Sequence, residues 1–479
     1  MAFENLMIGG RWRPAVEGQT IPVFAPSTGR QISSIPRGCA ADVDAAATAA
    51  RRAFEGAWGA MPAVERGRLL SRFAARILDH AEELAELEAQ DTGKPMTLAR
   101  NDIKACARYF EFYGGGADKI HGETIPYLNG YQVMVLREPR GVTGHIIPWN
   151  YPAQMFGRTL APALAAGNAT VLKPAEEACL SSFRLVDLAM DVGFPEGAVN
   201  LVSGLGSEAG AALTAHPGLD LISFTGSPAV GTLVQQAAAI NHVPCVLELG
   251  GKSPQIVFDD ADVEAASKAI TAGIIQNAGQ TCSAGSRVLI HRKVYDQVLT
   301  ALAERFSRVV AGPHELDLDC GPVISARQQG RVENYLRDGE RDGVAVVAQG
   351  QLHPRVRDGG YFVTPTLFSN VAPTHRLAQE EIFGPVLVAL PFDDEADAIR
   401  IANDTPYGLM AGIWTRDGGR QLRLAKAVRA GQIYVNGFGA GGGIELPFGG
   451  FKRSGHGREK GFEALREFTV AKTVILNHG

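Results

Sequence analysis

Between residues 141 and 258 short apolar runs alternate with longer amphipathic stretches. Residues 141–148, 169–172, 199–202 and 219–224 read as strands. Residues 153–166, 180–190, 207–215 and 229–239 read as the helices that separate them. This alternation predicts a parallel sheet covered on both faces, an α/β arrangement. Such sheets take their ligands at the carboxyl ends of the strands. Upstream, residues 1–36 carry short strands and turns, and the Ala-rich stretch 42–54 is helical. Leu69, Leu70, Phe73, Ile77, Leu84 and Leu87 form one apolar face, which predicts a single helix over 65–87. A further helix over 97–113 is expected to stop at Gly114-Gly115-Gly116. Asn129-Gly130 lies between two β-prone segments and predicts a hairpin. It is either an ordinary surface hairpin or an arm that pairs with another subunit. A second α/β pattern follows residue 282, and the apolar tail 468–476 reads as a strand.

The chain has 479 residues, more than one core can serve, so two or three domains are expected. A net charge of −5 leaves no electrostatic footprint for nucleic acid. No apolar run approaches the ~20 residues that span a bilayer, and the N-terminus lacks the pattern of a signal peptide. The cysteines at 39, 106, 179, 245, 282 and 320 include no Cys-x-x-Cys pair. That argues against a metal site or a disulfide framework and for a reducing, cytoplasmic setting.

One cysteine stands apart. Cys282 sits in Gly279-Gln280-Thr281-Cys282-Ser283-Ala284-Gly285-Ser286-Arg287, with no large apolar neighbour for three residues on either side. It reads as an accessible thiol on a loop between a helix (263–276) and a strand (288–291). Several polar segments fall at the ends of the predicted parallel strands. They are Pro148-Trp149-Asn150-Tyr151-Pro152, Lys173-Pro174-Ala175-Glu176, Phe224-Thr225-Gly226-Ser227 and Glu248-Leu249-Gly250-Gly251-Lys252. No Gly-x-Gly-x-x-Gly fingerprint is in place, because Gly210 falls one residue late after Gly204-Leu205-Gly206. A dinucleotide would therefore rest its pyrophosphate on the helix start at Ser227.

Together with Gln379-Glu380-Glu381-Ile382-Phe383-Gly384-Pro385 and the terminal Pro447-Phe448-Gly449-Gly450, these segments resemble the aldehyde dehydrogenase superfamily over essentially the whole chain. The resemblance implies an atypical Rossmann cofactor domain (1–119 and 140–250), an α/β catalytic domain (251–465) and a small β oligomerisation arm (120–139 and 466–479). The hairpin is then the arm, and the assembly a homodimer or homotetramer. The resemblance also implies the roles. Cys282 is the nucleophile, with its pKa lowered or its proton taken by a nearby base. Asn150 and the Cys282 amide bind the oxyanion; read on its own, Asn150 could instead cap the following helix. Glu248 is the general base, its pKa raised by burial. Lys173 and Glu176 hold the adenine ribose, Gly226 and Ser227 the pyrophosphate, Glu381 the nicotinamide ribose, and Trp149 and Phe383 pack nearby. A carboxylate at 176 repels a 2′-phosphate, which favours NAD, with NADP possible.

Tyr151, Gln154 and Arg158 follow Asn150 on the helix that lines the family's substrate tunnel, and Phe438 opens a Gly-rich mouth over 438–443. Arg158 points to a polar or anionic aldehyde, a semialdehyde or a hydroxylated aromatic one. Its alternative is a pairing with an acid such as Glu445. A broad-range aldehyde dehydrogenase and a cofactor-independent cysteine esterase are the other readings. Lys460 reads as a surface charge.

Overall fold

A computed structural model describes residues 3–439 and 443–479. The first sheet is built on five parallel strands, Val142–Ile147, Ala169–Pro174, Val199–Leu201, Leu221–Thr225 and Cys245–Glu248. Numbered along the chain, they lie side by side in the order 3-2-1-4-5, the order of a dinucleotide-binding fold. The order arises because the first strand pairs with both the second and the fourth. Antiparallel strands extend each edge: Leu6–Ile8 and Arg11–Arg13 on one side, Gly455–His456 on the other. The first strand is followed by Trp149 and Asn150 where a glycine-rich turn would normally stand.

A second sheet contains six parallel strands, Pro254–Val257, Arg287–His291, Thr366–Ser369, Val386–Phe392, Met410–Trp414 and Gln432–Val435, with Ala345–Gln349 antiparallel at its edge. Its core is separate from that of the first sheet and includes Ile256, Leu289, Phe368, Val388 and Ile413. The carboxyl ends of the first sheet's strands and the amino ends of the second sheet's strands face one another across a cavity. A third sheet joins Glu123–Ile125, Tyr131–Pro139 and the tail strand Thr469–Asn477. The tail pairs antiparallel along the hairpin from Thr469 opposite Pro139 to Asn477 opposite Tyr131. Among the described residues no helix is long and apolar enough to cross a membrane.

Three expected elements differ. The helix expected over 65–87 is two, Ala63–Asp79 and Ala81–Thr92, broken at His80. His80 closes the first helix through its backbone N–H, and its ring meets Glu83 in the first turn of the second at 2.7 Å. The next helix, Met96–Gly116, runs through the three glycines instead of stopping. Gly67 and Gly114 let it press against the Ala63–Asp79 helix, because a Cβ on either would collide with the other's carbonyl. The helix expected over 207–215 is a wide turn, Gly206–Gly210, followed by only Ala211–Thr214.

Candidate active site

The strand order of the first sheet reverses between Val142–Ile147 and Leu221–Thr225. Crevices open at such points because the connections leave in opposite directions. Trp149 and Asn150 from one strand end, and Gly226 and Ser227 from the other, line a cavity of about 980 Å³. The facing wall comes from the second sheet. It contains Thr281 and Cys282, just before Arg287–His291, and Glu381 and Phe383, just before Val386–Phe392.

Asn150 is buried, and its Nδ2 donates to the Gln280 carbonyl at 2.9 Å. A carboxamide carries two such hydrogens, so one remains for another acceptor. The Asn150 carbonyl accepts from Lys94 Nζ (3.0 Å) and Asn277 Nδ2 (2.9 Å). Asn150 does not cap the next helix: Tyr151 holds the cap position of Pro152–Ala166, and no side chain bonds there. The backbone leading to Cys282 is bent through left-handed positions at Asn277 and Ala278, φ 50° and 54°, costly for residues with a Cβ.

Cys282 is partly exposed, but in space it packs against a small cluster of Leu409, Met410 and Phe448. Burial pushes its thiol up to about 11, and Arg158 works against that rise. Of the two expected routes to the thiolate, this direction speaks against a lowered pKa and leaves a nearby base or an added positive charge. Glu248 ends its strand buried, and its carboxyl is held well above the usual range, first by burial and then by Glu459. Both its oxygens are without a hydrogen-bond partner among the described residues.

Arg158 lines the cavity from the Pro152–Ala166 helix. Its guanidinium is ion-paired with Glu459, approaches Glu248 at 3.7 Å and lies 4.2 Å from the centre of the Phe448 ring. The acid suggested by sequence, Glu445, instead pairs with Arg108 at 2.6 Å. Lys460 is not on the surface: it is buried, lines the cavity and sits 5.2 Å from the Phe448 ring centre. Its ammonium is pushed down to about 7, mainly by burial. The cause is backbone pairing, since Phe448 and Glu459 exchange hydrogen bonds of 2.7 and 2.8 Å that draw the segment inward. In the sequence Glu459 has no role, Phe448 shows only within the Pro447-Phe448-Gly449-Gly450 segment and Lys460 reads as a surface charge, because nothing local distinguishes residues 457–460 from a charged surface turn.

The remaining wall has the features a dinucleotide requires. Ser227 is the N-cap of Pro228–Ala239 and accepts from Val230 N. The start of that helix offers its amides to an anion. Lys173 and Glu176 pair at 2.6 Å at the end of the adjacent strand, beyond the lining of the main cavity. On the other side Glu381 accepts from the Gly251 amide at 2.9 Å, and burial pushes its carboxyl up to about 7. Gly250 leaves the space for it, because a Cβ there would strike the Glu381 carboxylate. Two carboxylates thus flank a helix start, as the diols and pyrophosphate of a dinucleotide demand. Trp149 and Phe383 meet edge to face at 5.4 Å, with Phe383 at φ 60°. Among the described residues no cluster of three His, Cys, Asp or Glu could hold a metal ion.

Away from Cys282 the cavity is lined by Asn101, Tyr109, Tyr151, Gln154, Gln276 and Phe438. Tyr151 Oη meets Thr281 Oγ1 at 2.7 Å and accepts from Gln276 Nε2 at 3.1 Å. Phe438 packs near Tyr434 with centroids 5.7 Å apart. Of the Gly-rich mouth expected over 438–443, residues 440–442 lie outside the described residues.

The aldehyde dehydrogenase family profile matches residues 12–474. The mitochondrial benzaldehyde dehydrogenase of Antirrhinum majus is 42% identical over 477 residues, which cover 99% of this chain and 89% of the relative. A candidate aldehyde dehydrogenase of Burkholderia cenocepacia is 58% identical and superposes with a TM-score of 0.98, covering 99% of this chain and all (100%) of the other. The NAD+ complex of the Bacillus cereus aldehyde dehydrogenase is 41% identical, with a TM-score of 0.96 and coverage of 99% of this chain and 96% of the other.

Proposed function

This chain belongs to the aldehyde dehydrogenase family and oxidises aldehydes with NAD, and from that premise we propose that Cys282 carries the acyl group. The thiolate bonds to the carbonyl carbon, which becomes tetrahedral. Asn150 Nδ2 and the Cys282 N–H receive the oxyanion. Bound NAD supplies the acceptor for the hydride that leaves this carbon. Glu248 then takes a proton from the water that attacks the resulting thioester, and the acid departs as the C–S bond breaks. The observation that carries this reading is the convergence of Asn150, Cys282, Glu381 and Phe383 on one cavity.

Lys173 and Glu176 are assigned to the adenine ribose, Gly226 and Ser227 to the pyrophosphate, Glu381 to the nicotinamide ribose, and Trp149 and Phe383 to the ring beside it. For the substrate we assign a polar aromatic aldehyde. Tyr109, Tyr151 and Phe438 offer ring faces, and Gln154, Gln276 and Asn101 offer hydrogen bonds along the same tunnel. A carboxylate-bearing aldehyde is the weaker choice, since Arg158 would have to leave Glu459 to bind it. Residues 1–119 with 140–250 are assigned as the cofactor domain, 251–465 as the catalytic domain, and 120–139 with 466–479 as the arm of a homodimer or homotetramer. The exposed Tyr127, Leu128, Ile475 and Leu476 on the third sheet support the arm. The six cysteines are all free, which supports a reducing compartment.

The test is a panel of salicylaldehyde, vanillin, benzaldehyde, succinic semialdehyde and hexanal, read by NADH absorbance and by acid formed. One NADH per acid, with the hydroxylated rings giving the highest kcat/KM, is expected. No NADH and no acid from any aldehyde, with acid released from an ester such as 4-nitrophenyl acetate without NAD, would indicate an esterase, and a preference for succinic semialdehyde would overturn the substrate assignment.

A further inference from the structure

Lys94 is a fully buried cation at the back of the loop that carries Asn150. An ammonium has three protons to place, and here three acceptors surround it. Asp102 Oδ2 lies at 2.5 Å, the Asn150 carbonyl at 3.0 Å and Glu88 Oε1 at 3.3 Å. Both carboxylates are fixed in turn. Glu88 accepts from Ser181 Oγ at 2.6 Å and lies 3.4 Å from the Ala153 amide in the first turn of the Pro152–Ala166 helix. Asp102 lies 3.4 Å from Gln154 Nε2. The same ammonium stands 4.5 Å from the centre of the Tyr151 ring. Tyr151 in turn reaches Thr281, the neighbour of Cys282, through its hydroxyl. One lysine therefore touches the two residues that bridge the nucleophile loop and the oxyanion loop.

We propose that Lys94 is a positioning residue for the oxyanion site: it anchors the Asn150 carbonyl so that the side-chain amide points at the oxygen of the carbon bound to Cys282. The inference rests on the role given to Asn150 above. A buried charge with all its protons assigned has a single low-energy location, whereas a neutral side chain would leave the Asn150 peptide held by Asn277 alone. A shift of about 1 Å at a catalytic group can cost up to roughly a hundredfold in rate.

The experiment is a double-mutant cycle. Lys94→Met strands two buried carboxylates, so it is made with Glu88→Gln, which restores the net charge of the cluster, and is compared with Glu88→Gln alone. Adding Lys94→Met should lower kcat by roughly ten- to a hundredfold and leave KM for NAD unchanged. In an Asn150→Ala background the same change should cost less than about threefold, because the group it positions is gone. Equal costs in both backgrounds, an unaltered kcat, or an effect confined to KM for NAD would overturn the proposal. Asn150→Ala measured alone separates the two claims. If it leaves kcat intact, the oxyanion assignment fails; if it lowers kcat but the costs simply multiply, the Lys94 inference fails.

Discussion

Arg158 Nη2 lies 3.7 Å from Glu248 Oε2, with both side chains buried. The arginine is shared, since Glu459 holds its Nε side. One guanidinium thus balances two carboxylates next to Phe448 and Cys282. Removing one partner of such a group leaves charge without compensation and costs about 3–5 kcal/mol. Arg158→Leu should therefore lower the unfolding free energy by roughly that amount, and Arg158→Leu with Glu459→Leu should recover much of it. Denaturant unfolding of the three proteins checks this. In the Arg158→Leu enzyme kcat/KM should fall by similar factors for succinic semialdehyde and hexanal. A loss confined to the semialdehyde would show that the arginine meets substrate.

The same cluster sets a pH dependence. Glu248 is raised by burial first and by Glu459 second, and Arg158 opposes both. A raised carboxyl is protonated at a pH where an ordinary one is not, and only the carboxylate can take a proton from water. Thioester hydrolysis should therefore increase with pH through the Glu248 pKa. Glu459→Gln removes a neighbouring negative charge and leaves Arg158 to Glu248 alone. Both changes favour the carboxylate, so the acid limb of kcat should move to lower pH. A limb that stayed in place would separate Glu248 from the rate.

With the Cys282 thiol pushed up to about 11, only about one molecule in ten thousand is a thiolate at pH 7. Alkylation by iodoacetamide should then be slow in the free enzyme and rise about tenfold per pH unit below that value. A cationic nicotinamide ring near the sulfur favours the thiolate, so saturating NAD+ should speed alkylation at pH 7 while NADH should not. Mass spectrometry of the modified peptide reads the rate at this cysteine alone.

Glu176 pairs with Lys173 and also accepts from the Gly206 amide at 3.2 Å. Like charges about 4 Å apart repel by roughly 1–4 kcal/mol between bulk water and a protein surface. Glu176→Gln should thus narrow the NAD-over-NADP ratio of kcat/KM by about tenfold or more. Steady-state kinetics with both cofactors measures it.

Much of this is legible in the amino-acid sequence, for a physical reason. The strands and helices of 141–258 announce themselves because each buries a face with its own period, and local pattern carries that information. The loops holding Asn150, Ser227 and Glu248 follow from where those elements end, and Cys282 shows itself by the small and polar residues around it. What stayed hidden depends on partners distant in the chain. The Gly114–116 run reads as a stop, and only the facing helix at Gly67 makes it a close contact. Lys460 reads as surface until the backbone bonds between Phe448 and Glu459 turn it inward. Arg158 had two acids to choose from within fifteen residues of each other, and only the fold shows that Glu445 is taken by Arg108 and Glu459 is not. Lys94 gave no local sign, since its three acceptors come from three separate segments.

The central claim is that the acyl group passes through Cys282 and that Glu248 is needed to release it. Rapid mixing of the Glu248→Gln enzyme with NAD and benzaldehyde tests this most directly, with quenched samples analysed by intact mass. A burst of about one NADH per subunit, a benzoyl adduct on Cys282, and steady turnover lowered by roughly 10²–10⁴-fold are expected. Full turnover without an adduct, or aldehyde oxidation that survives Cys282→Ala, would contradict the account.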